Sequence, residues 1–280
     1  ITLAIRMRPA AGWHGYWVNG GDAGFGMELE WSLPDGVTVG TPRYPVPKTY
    51  VLQGLMNHVY EQPYAILIPV TVDKAVPAGS SITLKAAGTW LACSDKTCVP
   101  QDGTFSVTLT VIAADAPKPV PDARFAAWQT KLPSPLNAAA GYAIEGDTLT
   151  LSIPYPADAP LTDPHFFAET DGLIEYAAAQ EFTRDGDMLT IKTKAASGAK
   201  AGVPLLGLLK IGPDMGLSLT ATKDAKVGGA IGGAASLEAV GGPAGLLLTI
   251  GAALLGGVLL NIMPCVFPIL GLKALSLAKG

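Results

Sequence analysis

Two of the three cysteines in this 280-residue chain, Cys93 and Cys98, stand close together with four residues between them. Apolar residues alternate with polar ones on both sides of the pair, at Ile82, Leu84 and Ala86 before it and at Phe105, Val107, Leu109 and Val111 after it. Because a period of two is typical of β-strands, the cysteines are predicted to bracket the tip of a hairpin. Opposed residues of paired strands have Cα atoms about 4.5–5.5 Å apart, and a disulfide needs about 4.4–6.8 Å, so the pair can close without moving the strands.

A disulfide in this position would close only a small ring. The chain-entropy model gives such a ring under about 3 kcal/mol of stabilisation, which is little for a chain of this size. A short, exposed pair is better suited to reversible thiol–disulfide exchange. The neighbouring charges do not fix its reactivity, because Lys96 would favour a thiolate and Asp95 would oppose it. A structural disulfide in a secreted β-domain stays open as the alternative.

The composition favours a β-rich protein and argues against nucleic-acid binding. The formal net charge is −4, and we find no basic stripe. Glycine and proline are abundant, at 33 and 23 residues, and few segments have helical periodicity. The length suits two domains of ordinary size. Because the number of cysteines is odd, one is left for a partner outside this chain or for a free-thiol role.

Residues 1–114 have the pattern of a series of short strands separated by turns. Seven strands at this spacing predict an immunoglobulin-like β-sandwich that carries the cysteine hairpin. The turn signals lie at Asn19–Asp22, Pro34–Gly36, Pro77–Gly79 and Asp102–Gly103. The predicted strands are Leu3–Arg8, Gly15–Val18, Met27–Ser32, Val37–Thr41, Tyr64–Val72, Ser81–Ala92 and Phe105–Ile112.

The segment Gln53–Tyr60 fits neither a helix nor a strand, so we predict a loop. Its apolar residues Leu55 and Met56 could cover a reactive thiol pair and shield it from oxidants. His58 in the same segment is one of only three histidines. An ordinary connection that packs inward, with His58 as a packing residue, is the alternative.

A proline-rich linker is predicted at residues 115–122, followed by a short helix over Ala123–Lys131 that Asp122 caps. Residues 123–222 are predicted to form a second β-sandwich that supports or positions the first. This module has no cysteine, and we assign it no chemistry. Its predicted strands are Tyr142–Glu145, Thr148–Ile153, Leu173–Ala178, Glu181–Thr183, Met188–Lys192, Pro204–Ile211 and Leu217–Thr222.

A flexible tether is predicted at residues 223–242, which are rich in glycine and alanine. Twenty residues without a formal charge follow at Ala244–Met263, enough for a helix to span about 30 Å of hydrocarbon. We therefore predict that residues 243–280 hold a transmembrane segment, with a buried core helix as the alternative. Cys265 follows between two prolines, which are tolerated at membrane depth where the backbone faces protein or a water-filled cavity. We therefore predict a functional role for Cys265.

Three segments of the chain resemble the DsbD family of thiol:disulfide interchange proteins. Trp90–Pro100 resembles the active-site hairpin of the family's periplasmic N-terminal domain. Trp13–Gly24 resembles the early segment of its ScsB-like branch, named for suppressors of copper sensitivity. Met263–Pro268 resembles the first transmembrane segment of the family's electron-carrying membrane domain. The middle module fits the two-sandwich ectodomain of ScsB-like proteins better than the single sandwich of DsbD.

The resemblance implies a relay of thiol–disulfide exchanges that uses no bound cofactor. Electrons pass from cytoplasmic thioredoxin through the membrane domain and a C-terminal thioredoxin-like domain of the same full-length protein. The N-terminal pair then reduces periplasmic thioredoxin-like proteins or disulfide isomerases. The implied location is the bacterial inner membrane, with residues 1–242 in the periplasm.

Specific roles follow for the three cysteines from the same resemblance. Cys98 forms the mixed disulfide with the partner, and Cys93 resolves it. Cys265 is one of two membrane cysteines, and its mate is expected beyond Gly280. The family also has a cap loop over the pair, which we expect at residues 53–58, but its acidic residues beside that loop have no clear match here.

Two other functions stay open. Cys93 and Cys98, with Met56 or His58, could hold Cu(I) in a copper-tolerance module, since soft ligands select that ion. Against this, no methionine-rich or Cys/His-rich tract lies near the pair. A non-catalytic ectodomain with a structural disulfide is the third possibility.

Overall fold

Strands predominate in the part of the chain that the structure describes. The computed structural model describes residues 1–113, 115–117, 120, 122–223 and 225. The expectation of a mainly β protein is confirmed. In chain order the elements are β1 (Thr2–Met7), β2 (Gly15–Gly21), β3 (Glu28–Ser32), β4 (Val37–Val39), β5 (Lys48–Leu52), β6 (Leu55–Tyr60), β7 (Tyr64–Val72), β8 (Ser81–Cys93), β9 (Cys98–Thr110), α1 (Ala123–Gln129), β10 (Ser134–Pro135), β11 (Ala140–Glu145), β12 (Thr148–Pro154), β13 (His165–Ala168), β14 (Glu181–Asp185), β15 (Met188–Lys194), β16 (Leu205–Gly212) and β17 (Met215–Lys223).

The first module has three sheets of three strands each, ordered β1–β7–β4, β3–β8–β9 and β2–β6–β5. The first two sheets pack face to face, because buried residues from both of them share one apolar cluster. Val37 and Val70 enter that cluster from one sheet, and Ile82 and Leu84 enter it from the other. The alternating burial of β8 is therefore the pattern that the sequence showed.

The third sheet corrects the prediction of a loop at residues 53–60. Only Gln53 and Gly54 form the turn, both with positive φ, and Leu55–Tyr60 is strand β6, paired with β5 on one side and β2 on the other. Five of its six residues are buried, so the alternation that would mark a strand is absent from the sequence. Strand β5, which pairs with it, was not predicted.

The hairpin β8–β9 is longer than the sequence predicted. Its register runs through thirteen opposed pairs from Ser81–Thr110 to Cys93–Cys98 without a break. The predicted turn at Asp102–Gly103 is wrong, because both residues lie inside β9. Gly103 makes room for an aromatic ring, since a Cβ there would stand 3.2 Å from the Trp90 ring.

The second module is built from one continuous sheet. Its strands form one connected eight-stranded sheet, ordered β13–β16–β17–β11–β12–β15–β14, with β10 on β17. Phe166 of β13 and Leu189 of β15 share one apolar core, so this sheet folds back on itself. The predicted strand Leu173–Ala178 is wrong, because only the isolated bridge Ile174–Ala195 forms there. Strand β13 was not predicted.

The predicted helix after the linker is confirmed as α1. Asp122 caps it, with Oδ1 accepting a hydrogen bond of 2.9 Å from the Arg124 amide. The helix side chains Phe125 and Trp128 pack near Leu67 of strand β7. The element after the linker is therefore fixed to the first module.

The two modules also meet through polar and aromatic contacts. The Asn19 side-chain amide of β2 donates to the Ala168 carbonyl of β13 at 2.9 Å, and the Trp17 and Phe167 rings lie 5.9 Å apart. The described residues of Ile1–Ile231 belong to one compact unit. The domain boundaries proposed above stay a prediction.

The predicted tether, transmembrane segment and Cys265 lie outside the described residues, apart from residues 223 and 225. Within the described part of the chain, no helix has the length and apolar character needed to cross a membrane.

Candidate redox site

A disulfide joins Cys93 and Cys98 at the tip of the β8–β9 hairpin. The two residues are directly opposed in the register, with Cα atoms 4.0 Å apart and sulfur atoms bonded at 2.00 Å. The four-residue connection closes with a hydrogen bond of 2.8 Å from the Ser94 amide to the Thr97 carbonyl. The predicted placement of the pair on opposed strands is therefore present in the structure.

The two cysteines differ in exposure. Cys93 is 2% exposed and packs with Tyr16 and Val59, whereas Cys98 is exposed at the start of β9. An incoming thiolate must approach the sulfur along the S–S axis, and the exposed partner is the one it can reach. The geometry therefore favours attack at Cys98, with Cys93 as the leaving and resolving sulfur.

His14 lies on the other side of Cys93. The two residues form an isolated antiparallel bridge, with N–H···O distances of 2.8 Å and 3.1 Å in the two directions. His14 is 5% exposed, and its Nε2 lies 3.3 Å from the Tyr16 hydroxyl. Gly24 lets the Tyr16 ring take this position, because a Cβ at that glycine would overlap the ring.

The β5–β6 hairpin covers the disulfide from one side. A cavity of about 280 Å³ lies between this hairpin and the cysteine hairpin, and both cysteines line it. Leu55 also lines the cavity, beside the turn residue Gln53 and Tyr50 of strand β5. Two hydrogen bonds anchor the covering hairpin at Asp22: the Asp22 amide donates to the Met56 carbonyl, and the Met56 amide donates to the Asp22 carboxylate.

The other two residues expected in the cap point elsewhere. Successive residues of a strand face opposite sides, so Leu55 faces the cavity and Met56 does not. His58 is 1% exposed and packs against Trp17, Phe167 and Tyr176, with Nδ1 at 2.9 Å from the Asn19 carbonyl. The structure thus brings Leu55 to the cysteines and places Met56 and His58 on the opposite side of β6.

Burial and hydrogen bonding set the protonation of the groups around the cavity. Burial lowers the pKa of His14 from its ordinary value, against the opposing effect of Glu61 and Asp95. Burial also raises the pKa of Tyr16. A hydrogen bond of 2.6 Å to Asp95 raises the pKa of Tyr50. The site therefore offers a neutral imidazole and two protonated phenols beside the disulfide at neutral pH.

Residues 1–110 match the family model described as "Thiol:disulfide interchange protein DsbD, N-terminal". This part of the chain belongs to the DsbD family. The DsbD N-terminal domain is immunoglobulin-like, which confirms that class for the first module. The DsbD family implies thiol–disulfide oxidoreductase activity in general, and domains of this family interact with thioredoxin-like partners.

The structure is similar to the crystal structure of the N-terminal periplasmic domain of ScsB from Proteus mirabilis. The TM-score is 0.55 at 20% sequence identity, over 79% of this chain and 87% of that chain. At this identity the likeness shows the fold, and it extends beyond the residues that the DsbD model matches. No curated protein matches the chain.

The structure brings the predicted cysteines and Leu55 to one cavity, together with residues that the sequence did not predict there. His14 and Tyr16 reach the site because His14 bridges to Cys93, a residue far away in the chain. Tyr50 reaches it because β5 pairs with β6. The position of His14 has no local signal in the sequence, whereas the turn at Gln53–Gly54 between two apolar stretches was a signal for the hairpin.

A metal-binding function receives no support from the geometry. Among the residues described here, no three or more histidine, cysteine, aspartate or glutamate side chains cluster so that they could hold a metal ion. Met56 and His58, the proposed additional Cu(I) ligands, face away from the sulfur atoms.

Proposed function

We propose that this chain is a membrane-attached thiol–disulfide reductase module that reduces disulfides of periplasmic partner proteins. Its electrons come from cytoplasmic thioredoxin through a membrane domain, in which Cys265 is one of two cysteines, and a C-terminal thioredoxin-like domain. The partners are thioredoxin-like proteins or disulfide isomerases. The module lies on the periplasmic side of the bacterial inner membrane, with residues 1–242 outside the bilayer.

The observation that carries this proposal is the unequal exposure of the two bonded sulfurs. Cys98 stands at an exposed hairpin tip, and Cys93 is 2% exposed beneath it. In the reducing direction, the Cys98 thiolate attacks a partner disulfide and forms a mixed disulfide while one partner thiolate leaves. The Cys93 thiolate then attacks Cys98, which restores the Cys93–Cys98 bond and releases the second partner thiolate.

The covering hairpin supports the same proposal. Leu55, Gln53 and Tyr50 line the cavity on the disulfide, and the hairpin that carries them turns at Gly54. A cover of this kind limits the approach of small oxidants to the reduced pair. Since the outward-facing compartment is oxidising, a reduced pair there needs both protection and a supply of electrons.

Trapping of the mixed disulfide tests the proposal. In envelope extracts of the source cells, Cys93→Ser leaves Cys98 without a resolving thiol, so a covalent complex with a thioredoxin-like or isomerase protein accumulates. The matched Cys98→Ser variant keeps only the buried thiol and accumulates at most about a tenth as much. Equal trapping by both variants, or none by Cys93→Ser after reduction of the chain, contradicts the proposal.

A further inference from the structure

His14 lies beside Cys93 and has no role in the exchange steps proposed above. The bridge between His14 and Cys93 exchanges both backbone hydrogen bonds, so the two residues are directly opposed. Directly opposed residues of an antiparallel pair carry their side chains on the same face, with Cβ atoms about 4.5–5.5 Å apart. Cys98 is opposed to Cys93 on its other side. The three side chains therefore stand in a row on one face, with Cys93 in the middle.

The resolving step needs a group in this position. The nucleophile in thiol–disulfide exchange is the thiolate, and the apolar cluster of Tyr16, Val59 and Leu91 around Cys93 disfavours a negative charge there. Water reaches Cys93 poorly, since the residue is 2% exposed. A proton acceptor inside the site is therefore required for rapid resolution at neutral pH.

Each titratable group that faces His14 across the cavity has a reason not to take that proton. The phenols of Tyr16 and Tyr50 are protonated, and the Tyr50 hydroxyl donates a hydrogen bond to the Asp95 carboxylate. Asp95 lies on the exposed hairpin connection and accepts from Tyr50. Glu61, the other carboxylate whose charge acts on His14, forms an ion pair with Lys48. The imidazole of His14 is buried and neutral, and in the tautomer whose Nε2–H donates to the Tyr16 hydroxyl, Nδ1 carries the lone pair.

We propose that His14 accepts the proton of the Cys93 thiol when Cys93 resolves the mixed disulfide, an inference that rests on the proposed function. The Cys93 S–H bond breaks, its proton moves to the imidazole, and the thiolate attacks the Cys98 sulfur. The Cys93–Cys98 bond forms as the bond from Cys98 to the partner breaks, and the partner sulfur leaves as a thiolate. The imidazolium then gives its proton to that thiolate, so the electrons and protons balance without another reactant.

The test follows both steps of exchange with dithiodipyridine, an uncharged disulfide, added to the reduced 280-residue chain. Rapid acid quench and mass spectrometry of the Cys98 peptide measure the formation and the decay of the mixed disulfide at Cys98. His14→Gln keeps a polar side chain but removes the base. It is expected to slow the decay by about 100-fold near pH 7 and to leave the formation rate within about twofold, because general bases contribute about 10²–10⁴ to rate. His165→Gln, a matched change at a histidine on β13, is expected to alter neither step.

Two outcomes overturn the proposal. The first is a decay rate of the mixed disulfide in folded His14→Gln that lies within about twofold of the wild-type rate. The second is an equal slowing of the formation and the decay of the mixed disulfide, which would indicate a structural effect of the substitution. If the variant does not fold, the wild-type pH profile decides. Because burial holds the pKa of His14 below its ordinary value, a base at His14 predicts a decay rate that is already constant above about pH 6.5. Direct removal of the proton by hydroxide predicts instead a rise of about tenfold per pH unit across the same range. This assay uses no partner protein, so its result is independent of the trapping experiment that tests the proposed function.

Discussion

Reduction of the Cys93–Cys98 bond should cost the first module little stability. The cysteines are five positions apart in the sequence, and the chain-entropy model gives about 2 kcal/mol for a ring of this size. The strand pairing also holds the ring closed without the bond, because the β8–β9 hairpin has thirteen opposed pairs and the cysteines form only the last. We therefore expect the reduced protein to stay folded, with its free energy of unfolding lower by at most about 2 kcal/mol.

Urea unfolding of the oxidised and the reduced chain, followed by tryptophan fluorescence, measures this difference. The slope against urea should be the same for both forms, since the same surface is exposed on unfolding. The variant with both Cys93→Ala and Cys98→Ala should match the reduced wild type. A loss of more than about 4 kcal/mol, or loss of β structure on reduction, would show that the disulfide braces the fold. The exchange reaction would then require an unfolded intermediate, and the reductase proposal would fail.

Two further predictions concern the contact between the modules. Asn19 is 8% exposed, and its side-chain nitrogen lies within 2.9 Å of three acceptors. Asn19→Ala should therefore lower the free energy of unfolding by about 2–4 kcal/mol, whereas Asn137→Ala, at an exposed position, should change it by less than about 0.5 kcal/mol. Equal effects of the two variants in urea unfolding would contradict this prediction. Burial lowers the pKa of His58 to about 4, so the unfolded chain binds the proton more readily below pH 6.5, and stability should be constant above about pH 6.5 and fall by roughly 3 kcal/mol towards pH 4. His58→Gln should remove the His58 contribution to the slope of unfolding free energy against pH, measured by urea unfolding across this range. The lowered pKa of His165 accounts for the pH dependence that remains in the variant. An unchanged slope would refute the assignment of this pH dependence to His58.

Patterns that depend on near neighbours in the chain were predictable from the sequence. The strand Tyr64–Val72 has the predicted bounds, and the hairpin that carries the cysteines follows from its alternation. Helix α1 and its cap at Asp122 follow from local chemistry, since the cap bonds to an amide two residues away. In each case the interacting groups are close in sequence, so the pattern is visible before the chain folds.

Features that depend on distant pairing were not predictable. Strand β6 is buried on both faces, and burial of both faces removes the alternation by which strands are recognised. This also explains why Met56 and His58 were grouped with Leu55, because a loop has no fixed alternation of sides. His14 lies beside Cys93 because an isolated β-bridge pairs these two residues from distant parts of the chain. Local periodicity carries no information about such a bridge.

The redox cavity and the second module lie on opposite faces of strands β2 and β6. On strand β2, Tyr16 faces the cysteines, whereas Trp17 contacts Phe167 of β13. On strand β6, Leu55 faces the cysteines, whereas His58 contacts that same phenylalanine. A displacement of β13 relative to the first module would therefore shift the strands that line the sulfur pocket. Contacts of Phe167 with Trp17 and His58 thus join the second module to the two strands that line the redox cavity.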